Sequence, residues 1–540
     1  MIRSAFASAT TVVLLSLAAA TPLAQHPADH EQFGTVSFET SCTPAVAADV
    51  NRAVAQLHSF EFRGSMDGFN GVLARDPACA MAYWGVALSY WGNPFAGVKS
   101  DPLVANGRMA VQKGLATGSP TPRERGYLQA AAALLASSDT ATHRQRTLAY
   151  ASAMDGVQRE FPSDMEARIF YALAVAQTAS PADKTYQAQL TAAGILEPLW
   201  QQHPQHPGLA HYIIHAYDAP PLAARALEAA RRYADIAPSA PHALHMPSHT
   251  FTRVGFWKDS ADTNILSEQA AMRDGAFSEA LHALDYQIYA YLQMSEDGKA
   301  RAIVQRAPGI ATRLQANAIT GAAPVTAGVY AAAAIPARFA LERGNWNDAA
   351  TLPASSTSVP YADAVTHFAR ALGAARSGRA DAAGPDIEQL GTLRDRLAQV
   401  NDPYWREQVD IERRVALAWV AFAGRRTTEA LSLMREAADA EDATDKAAIS
   451  PGPLAPAREL LGEMLLASGD AKGALDAFTA TMTKEPNRLR SLAGGAAAAE
   501  QSGNLPLAGQ YYRTLLQVAA ASDADRPELQ RARAFVSSGR

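Results

Sequence analysis

Histidines recur at a fixed interval of about 34 residues in the middle of the chain. His211 and His215 precede His245 and His249 by 34 residues, and His282 follows His249 by 33. A period of this length is typical of a helix–turn–helix unit that repeats along a chain. Because stacked units place equivalent positions side by side, the spacing predicts a helical-repeat fold in which imidazoles from three segments converge.

The same period appears near the C-terminus. The small and aromatic residues Gly469, Ala474 and Phe478 are matched 34 residues later by Gly503, Ala508 and Tyr512. Glycine ends a helix, a small residue lets two helices approach closely, and an aromatic side chain fills the groove between them. This pattern is typical of tetratricopeptide (TPR) repeats. Further helix-ending glycines are predicted at Gly255, Gly298, Gly344, Gly378 and Gly424.

The composition agrees with a helical chain. Good helix formers such as alanine, leucine and arginine are abundant, and runs of valine, isoleucine and threonine are scarce beyond the N-terminus. We therefore predict an all-α fold, a TPR-like helical-repeat solenoid that winds as a right-handed superhelix of antiparallel helix pairs. The 48 basic and 53 acidic residues give a net charge of −5 without a basic stripe, which argues against a nucleic-acid partner.

The N-terminus has the pattern of an export signal. Arg3 supplies a positive start, an apolar run follows, and the small residues Ala18, Ala19 and Ala20 suit cleavage. A retained membrane anchor is the alternative, but the apolar run is shorter than the ~20 residues of a spanning helix. We expect an exported protein, periplasmic or secreted, with no integral membrane segment after signal cleavage.

The chain organisation follows from these patterns. We predict a signal peptide at 1–24, an extended N-terminal segment at 25–45, N-terminal TPR-like helical repeats with a His-rich centre at 46–300, further irregular helical repeats at 301–450 and a C-terminal TPR pair at 451–540. Cys42 and Cys79 are the two cysteines. In an oxidising compartment they can form a disulfide that ties the extended segment to the first helical pair. Two unrelated thiols are the alternative.

Part of the His-rich centre lies on two predicted helices. His211, His215 and Asp218 are spaced i, i+4 and i+7 and therefore share one helical face. His282 and Asp285 lie one turn apart on the first helix of a later repeat. These positions would point side chains from neighbouring repeats toward one another.

The rest of the centre surrounds a proline. Pro247 suits the first turn of a new helix and disfavours helical backbone angles at Met246. We therefore expect His249 in the first turn of that helix. His242 and His245 should lie in a loop or kinked lead-in just before it.

Imidazoles and carboxylates at this spacing suit a divalent transition metal, namely zinc, copper or iron. A carboxylate could instead orient a ligand or act as a general base on metal-bound water. The alternative is a buried hydrogen-bonded network without metal. His203 and His206 are left out, because the prolines beside them place them in a loop. The predicted metal site comprises His211, His215, Asp218, His242, His245, His249, His282 and Asp285.

Four aromatic residues upstream are candidates for a ligand pocket: Trp84, Tyr90, Trp91 and Phe95. A stripe of aromatic residues at helical spacing is also typical of a repeat core. Asn93 and Pro94 place part of this set beside a loop, which favours exposure at the rim of a concave surface.

These segments together resemble a family of exported bacterial TPR-repeat proteins. The resemblance covers most of residues 33–300 and is carried by the motifs HxxxHxxD and HxxHMPSH, in the segments HPGLAHYIIHAYDAP and APSAPHALHMPSHTFTRVGFW. RDPACAMAYWGVALSYWGNPF and EALHALDYQIYAYLQ match as well. The resemblance implies an all-helical TPR fold with a His-rich centre formed by the eight candidate residues, and it implies no particular activity.

Three functions fit these patterns. The first is an exported scaffold that binds a protein or peptide partner, or a small ligand, on its concave face and carries a His-rich metal centre. The second is a metal-dependent hydrolase or oxidase built on the same scaffold. The third is a purely structural histidine network. No P-loop, nucleophile elbow or dinucleotide loop is present in the sequence, and no catalytic residue can be assigned from it.

Overall fold

Helix boundaries follow the capping residues that the sequence supplies. Asp164, Asp470 and Asn504 each accept a hydrogen bond from the backbone N–H three residues later, as helix N-caps do. Thr121 and Glu124 form a capping box, in which each side chain binds the other residue's backbone N–H. Local sequence therefore determines where many of the helices begin.

A computed structural model describes residues 31–117, 120–315, 319 and 321–539. The signal peptide predicted at 1–24 lies outside these residues. The described residues form helices and no β-strand, so the all-α prediction is confirmed. The described residues from Gln32 onward form one compact unit.

The described part of the chain contains 26 α-helices and four short 3-10 helices. The first half comprises α1 (Ala47–His58), α2 (Phe62–Arg75), α3 (Ala80–Trp91), α4 (Asp101–Ala116), α5 (Pro122–Leu134), α6 (His143–Glu160), α7 (Met165–Gln177), α8 (Gln187–Gln202), α9 (Pro207–Ala216), α10 (Leu227–Ile236), α11 (Pro241–His245), α12 (Pro247–Arg253) and α13 (Trp257–Arg273). The second half comprises α14 (Phe277–Gln293), α15 (Asp297–Ala311), α16 (Val325–Glu342), α17 (Trp346–Ala350), α18 (Pro360–Arg376), α19 (Gly384–Gln399), α20 (Pro403–Ala423), α21 (Thr427–Asp442), α22 (Ala457–Ala467), α23 (Ala471–Lys484), α24 (Leu489–Gln501), α25 (Leu505–Val518) and α26 (Pro527–Ser537). The 3-10 helices are Pro44–Val46, Thr140–Thr142, Ala223–Ala226 and Ala380–Ala383.

Most helices pack against the helix that follows them in the chain, which is consistent with a helical repeat. The histidine-bearing helices α9, α11, α12 and α14 are separated in sequence by α10 and α13. Across these intervening helices, α9 touches α12 and α11 touches α14. Side chains about one repeat apart in sequence are thereby brought into the same volume.

Helix α14 is surrounded by other helices. Every residue from Ser278 to Gln293 is buried. The helix packs against α13, α15 and α16 and also touches α11 and α24. Because buried polar groups generally require partners, its buried Asp285 and Tyr286 are hydrogen bonded to groups from neighbouring elements.

Segments far apart in the sequence close around these central helices. The indole N–H of Trp257 donates to the carbonyl of Asn487 at 2.8 Å. The side-chain amide of Asn93 donates to the carbonyl of Ala322 at 3.1 Å. The predicted regions 46–300, 301–450 and 451–540 therefore pack within one unit.

The N-terminal part of this unit is anchored by a disulfide. Residues 32–43 form no helix or strand, and Phe38 packs against Trp84 with ring centroids 5.4 Å apart. Cys42 is bonded to Cys79, which directly precedes α3. The covalent link therefore holds the extended segment against the first helices.

Two local predictions were wrong. Gly298 does not end a helix but lies in the first turn of α15, where its N–H donates to the carboxylate of Asp523. Met246 keeps helical angles (φ −53°, ψ −35°) before Pro247, because its own N–H still bonds the carbonyl of His242 at 2.9 Å. Because Pro247 has no backbone N–H, the helical hydrogen bonding is interrupted between α11 and α12, although no residue between them is extended.

Among the described residues, none of the helices has the length and apolar character needed to cross a membrane.

Candidate metal centre

Six imidazoles from α9, α11, α12 and α14 meet in two groups of three. The first trio is His211, His215 and His242, and the second trio is His245, His249 and His282. Within each trio, one ring nitrogen from every histidine lies within 4.8 Å of the others. Rings of the two trios also adjoin, with centroid separations of 6.1 Å for His215 and His249 and 5.9 Å for His242 and His245. The arrangement could hold a metal ion in each trio.

The first trio has ring nitrogens with no hydrogen-bond partner. Nε2 is unpartnered in His211, His215 and His242. On the opposite side of two of these rings, Nδ1 of His211 lies 2.6 Å from the carbonyl of His58 and Nδ1 of His242 lies 3.1 Å from the carboxylate of Glu279. A carbonyl can only accept, so Nδ1 of His211 carries the proton and its Nε2 presents a lone pair.

In the second trio, hydrogen bonds from Nδ1 to acceptors also orient two of the three rings. Nδ1 of His245 lies 2.6 Å from Oδ1 of Asn264, and Nδ1 of His249 lies 2.8 Å from Oδ2 of Asp218. Hydrogen bonding of one ring nitrogen to an acceptor fixes the other nitrogen as a metal ligand in many metal sites. His282 has an unpartnered Nδ1, and its ring centroid lies 4.5 Å from that of His245.

The Nε2 atoms of His245 and His249 lie 3.0 Å apart. Because both Nδ1 atoms donate to acceptors, both Nε2 atoms of the neutral rings carry lone pairs that face each other. A cation between them would remove this repulsion. Two zinc–nitrogen bonds of ~2.0–2.1 Å at a tetrahedral angle separate the nitrogens by roughly 3.4 Å, so a small outward movement of the two rings would admit an ion.

Burial keeps these imidazoles in the form that binds metal. Burial lowers the pKa of His249, and it lowers the pKa of the other five histidines well below the ordinary value. Neighbouring imidazoles add to this effect, because one charged ring disfavours another. Neutral imidazole is the metal-ligating form.

The two predicted carboxylates lie outside both trios. Asp218 accepts from Nδ1 of His249 and from Nε of Arg253 at 2.9 Å, and Nζ of Lys446 lies 3.4 Å away. Burial alone would raise the pKa of Asp218, but Lys446 and Arg253 outweigh it and hold the pKa well below the usual range. Asp218 therefore orients a histidine rather than occupying a ligand position.

Asp285 faces away from the imidazoles. Its carboxylate accepts from Nε of Arg338 at 2.7 Å, and both side chains are fully buried. Arg338 also donates to the hydroxyl of Ser450 at 3.0 Å. The structure thus places Asp285 in an ion pair that joins α14 to α16 and to the segment before α22.

A third buried group lies behind the first trio. Oε2 of Glu166 lies 2.9 Å from Nε2 of His58, and Oε1 lies 3.0 Å from Nε2 of His206. Nδ1 of His58 is 2.9 Å from the hydroxyl of Tyr212. His206 does lie in a loop, as predicted, but it is buried, and the loop pattern did not reveal its carboxylate partner.

A small cavity of about 20 Å³ lies between the two trios. It is lined by His215 and His242 from the first trio and by His249 and His282 from the second. Phe95 also lines it and stacks on His215 with centroids 4.1 Å apart. A volume of this size holds about one water-sized molecule.

The other predicted pocket aromatics lie elsewhere. Trp84 is completely buried among Phe38, Tyr127 and Phe170 in the core. Trp91 lines a separate apolar cavity of about 30 Å³, and Tyr90 packs on the same core while partly buried. Of the predicted aromatic set, Phe95 is the member that the structure places beside the histidines.

No known protein family matches this chain, and no curated protein is significantly similar to it.

Proposed function

We propose that this protein binds two transition-metal ions, one in each histidine trio. The observation that supports the proposal is the convergence of buried ring nitrogens without hydrogen-bond partners, which occur on His211, His215 and His242 of the first trio and on His282 of the second. Acceptors hold Nδ1 in four of the six rings, those of His211, His242, His245 and His249. Buried polar atoms without partners are rare in folded proteins. A bound ion would satisfy them and would relieve the contact between the Nε2 atoms of His245 and His249.

The donor set favours a first-row transition metal. All six candidate ligands are imidazoles, which suit zinc, copper, iron and nickel. The two cysteines are joined in a disulfide and offer no thiolate. Among divalent first-row ions, copper has the highest intrinsic affinity for nitrogen ligands, and we therefore propose copper as the ion to test first.

The proposal also covers the helical scaffold that carries the two trios. The pairwise packing of successive helices supports a helical repeat, and we propose that it is a TPR-like solenoid of antiparallel helix pairs with a right-handed superhelix. The disulfide supports an oxidising environment and hence export. Binding of a protein or peptide partner on a concave face stays a prediction from the sequence pattern.

The third buried group, formed by His58, Glu166 and His206, is better explained by a structural role than by metal binding. Both oxygens of Glu166 accept from histidines, and His58 also meets Tyr212. The Nε2 atoms of His58 and His206 are already hydrogen bonded to Glu166, so this group resembles a polar network in which Nδ1 of His206 alone has no partner. We propose that it supports the first trio through the carbonyl of His58 without binding metal.

Metal analysis of untagged protein tests the main proposal. Protein exported by its own signal and dialysed at neutral pH should contain two metal ions per chain by mass spectrometry. His215→Gln and His282→Gln should each retain one ion, and the double variant should retain none. His367→Gln is the matched control, because His367 pairs with Asp386 in a different part of the fold and should not affect metal content.

The outcome against the proposal is equally specific. Copper or zinc offered to the folded wild-type protein would bind with a stoichiometry below one. Alternatively, His215→Gln and His282→Gln would leave metal content unchanged while circular dichroism shows that both variants are folded. The first result would favour a histidine network without metal, and the second would show that the bound metal lies outside the two trios.

A further inference from the structure

We infer that the cavity between the two trios binds dioxygen between two copper ions and that the pair of ions reduces it to hydrogen peroxide. This inference rests on the proposed two-metal centre and adds its substrate. The cavity is lined by His215 and His242 on one side and by His249 and His282 on the other. A molecule in it can therefore reach both metal positions at once.

The size of the cavity restricts what can bind. Its volume of about 20 Å³ accommodates a molecule about the size of water. A peptide, a phosphate ester or a phenol is several times larger. Hydrolysis of such substrates at this centre would require the walls to move, whereas a diatomic molecule fits without rearrangement.

The residues that line the cavity favour a neutral, apolar ligand. Apart from the imidazoles and Asn93, the lining consists of alanines, one proline, one isoleucine and Phe95. Both ends of the Asn93 amide are already engaged, since Nδ2 donates to the carbonyl of Ala322 at 3.1 Å and Oδ1 accepts from the N–H of Phe95 at 2.8 Å. No charged side chain is among the lining residues, so an anionic substrate would have no partner apart from the metal ions.

The number of protein ligands in each trio leaves a coordination position open for dioxygen. Each trio supplies three imidazoles, and a metal ion held by three protein ligands keeps an open position for a substrate. The histidines that face the cavity come from both trios, so the open positions can be directed to the same space. The carboxylates of Asp218 and Asp285 are engaged by cations and histidine instead.

The electron balance needs both ions. Two Cu(I) ions each give up one electron and become Cu(II), and dioxygen accepts the two electrons together with two protons from solvent to form hydrogen peroxide. A single copper ion supplies one electron and would stop at superoxide. A one-electron reductant such as ascorbate, added to the reaction, returns both ions to Cu(I) for the next cycle.

Two adjacent alanines provide a matched pair of variants. Ala448 lines the cavity between the trios, whereas Ala447 lines a different cavity that also contains Lys446 and Tyr404. Both are partly exposed in the same segment, so a larger side chain should be tolerated equally. Ala448→Leu fills the proposed dioxygen space and Ala447→Leu does not.

The experiment uses full-length protein loaded anaerobically with two equivalents of Cu(I), after which loose copper is removed with a chelator. On mixing with aerated buffer, the wild-type protein should consume one dioxygen per two copper ions and release one hydrogen peroxide. Ascorbate should make the reaction catalytic. Ala448→Leu should keep two copper ions and slow oxygen uptake at least 10-fold, while Ala447→Leu should stay within twofold of wild type.

Three results would overturn the inference. The two-copper protein could fail to consume oxygen, Ala448→Leu could react as fast as wild type with both coppers bound, or a one-copper His282→Gln protein could react at the wild-type rate. Each of these results is interpreted only after copper has been measured in the same protein sample. A failure of the underlying metal proposal is distinct, because it would appear earlier as protein that does not retain copper.

Discussion

Oδ1 of Asn264 lies 2.6 Å from Nδ1 of His245, and both side chains are completely buried. The amide orientation is determined by its other end, since Nδ2 of Asn264 donates to the carbonyl of Ser260 at 2.7 Å. His245 must therefore place its proton on Nδ1. Its Nε2 then faces His249 as a lone pair, so an uncharged residue on α13 selects the tautomer that a metal ion requires.

Removal of this acceptor should weaken one metal position and spare the other. Loss of a group that orients a metal-bound histidine typically lowers metal affinity 10- to 100-fold. Asn264→Ala should therefore weaken the second trio by about that factor, with the first trio unchanged, in competition titrations against a chelator of known affinity. Asn264→Asp keeps an acceptor and should bind nearly as tightly as wild type. Equal weakening of both trios would contradict the assigned role.

The convergence of the histidines could be predicted because it depends on repeat spacing. His211, His215, His245, His249 and His282 recur at about one repeat length. Equivalent positions of stacked helices then meet regardless of loop details. The structure accordingly brings these five imidazoles together, with His242 beside them.

The groups that surround the imidazoles could not be predicted in the same way. Periodicity locates a residue on its own helix but does not identify the side chain that meets it. Asp285 has helical spacing from His282, yet Arg338, 53 residues later in the chain, pairs with it. Asn264 is one of several polar residues on α13, and Glu166 is 108 residues from His58, so neither stands out in the sequence.

Loss of the disulfide should reduce stability without reducing metal content. The bond closes a segment of 37 residues between Cys42 and Cys79, and a loop of that length is worth about 4 kcal/mol in the chain-entropy description. A variant with both Cys42→Ser and Cys79→Ser should have a free energy of unfolding lower by about this amount in urea. Its metal content should equal that of wild type, because neither cysteine lies in a trio.

Reductant provides the control for this prediction. Dithiothreitol should lower the urea midpoint of the wild-type protein to that of the double variant and should leave the variant unaffected. If the variant and the oxidised wild type unfold at the same urea concentration, the disulfide does not stabilise the fold.

Stability at acidic pH should depend on Glu463. Burial alone would raise the pKa of this carboxylate, but Arg376 and Arg490 outweigh it and lower the pKa to about 2. A lowered folded-state pKa means that the stabilisation is complete above the unfolded value near 4.5 and is lost as pH falls toward 2. The unfolding temperatures of wild type and Glu463→Gln should therefore differ most above pH 4.5 and converge as pH falls.

The matched substitution for this comparison is Glu436→Gln, which removes an exposed carboxylate from α21. It should give an unfolding curve that follows wild type at every pH. A constant difference between wild type and Glu463→Gln from pH 6 to pH 2 would show that the ion pairs do not contribute.

The buried guanidinium of Arg488 should be the most sensitive charge in the C-terminal part of the fold. It is fully buried and donates to Glu459 at 2.8 Å, to Glu342 at 2.6 Å and to the hydroxyl of Tyr289 at 2.9 Å. Arg488→Met removes the cation shared by two buried carboxylates and leaves Glu459 with the more distant Arg490 at 3.5 Å. Loss of one partner from a buried ion pair typically costs about 3–5 kcal/mol. Arg426→Met removes a pair with Glu429 in which both side chains are about half exposed, and it should cost less than about 1 kcal/mol. Urea unfolding of both variants measures the difference, and equal costs would contradict the view that Arg488 joins α14, α16, α22 and α24 into one cooperative unit.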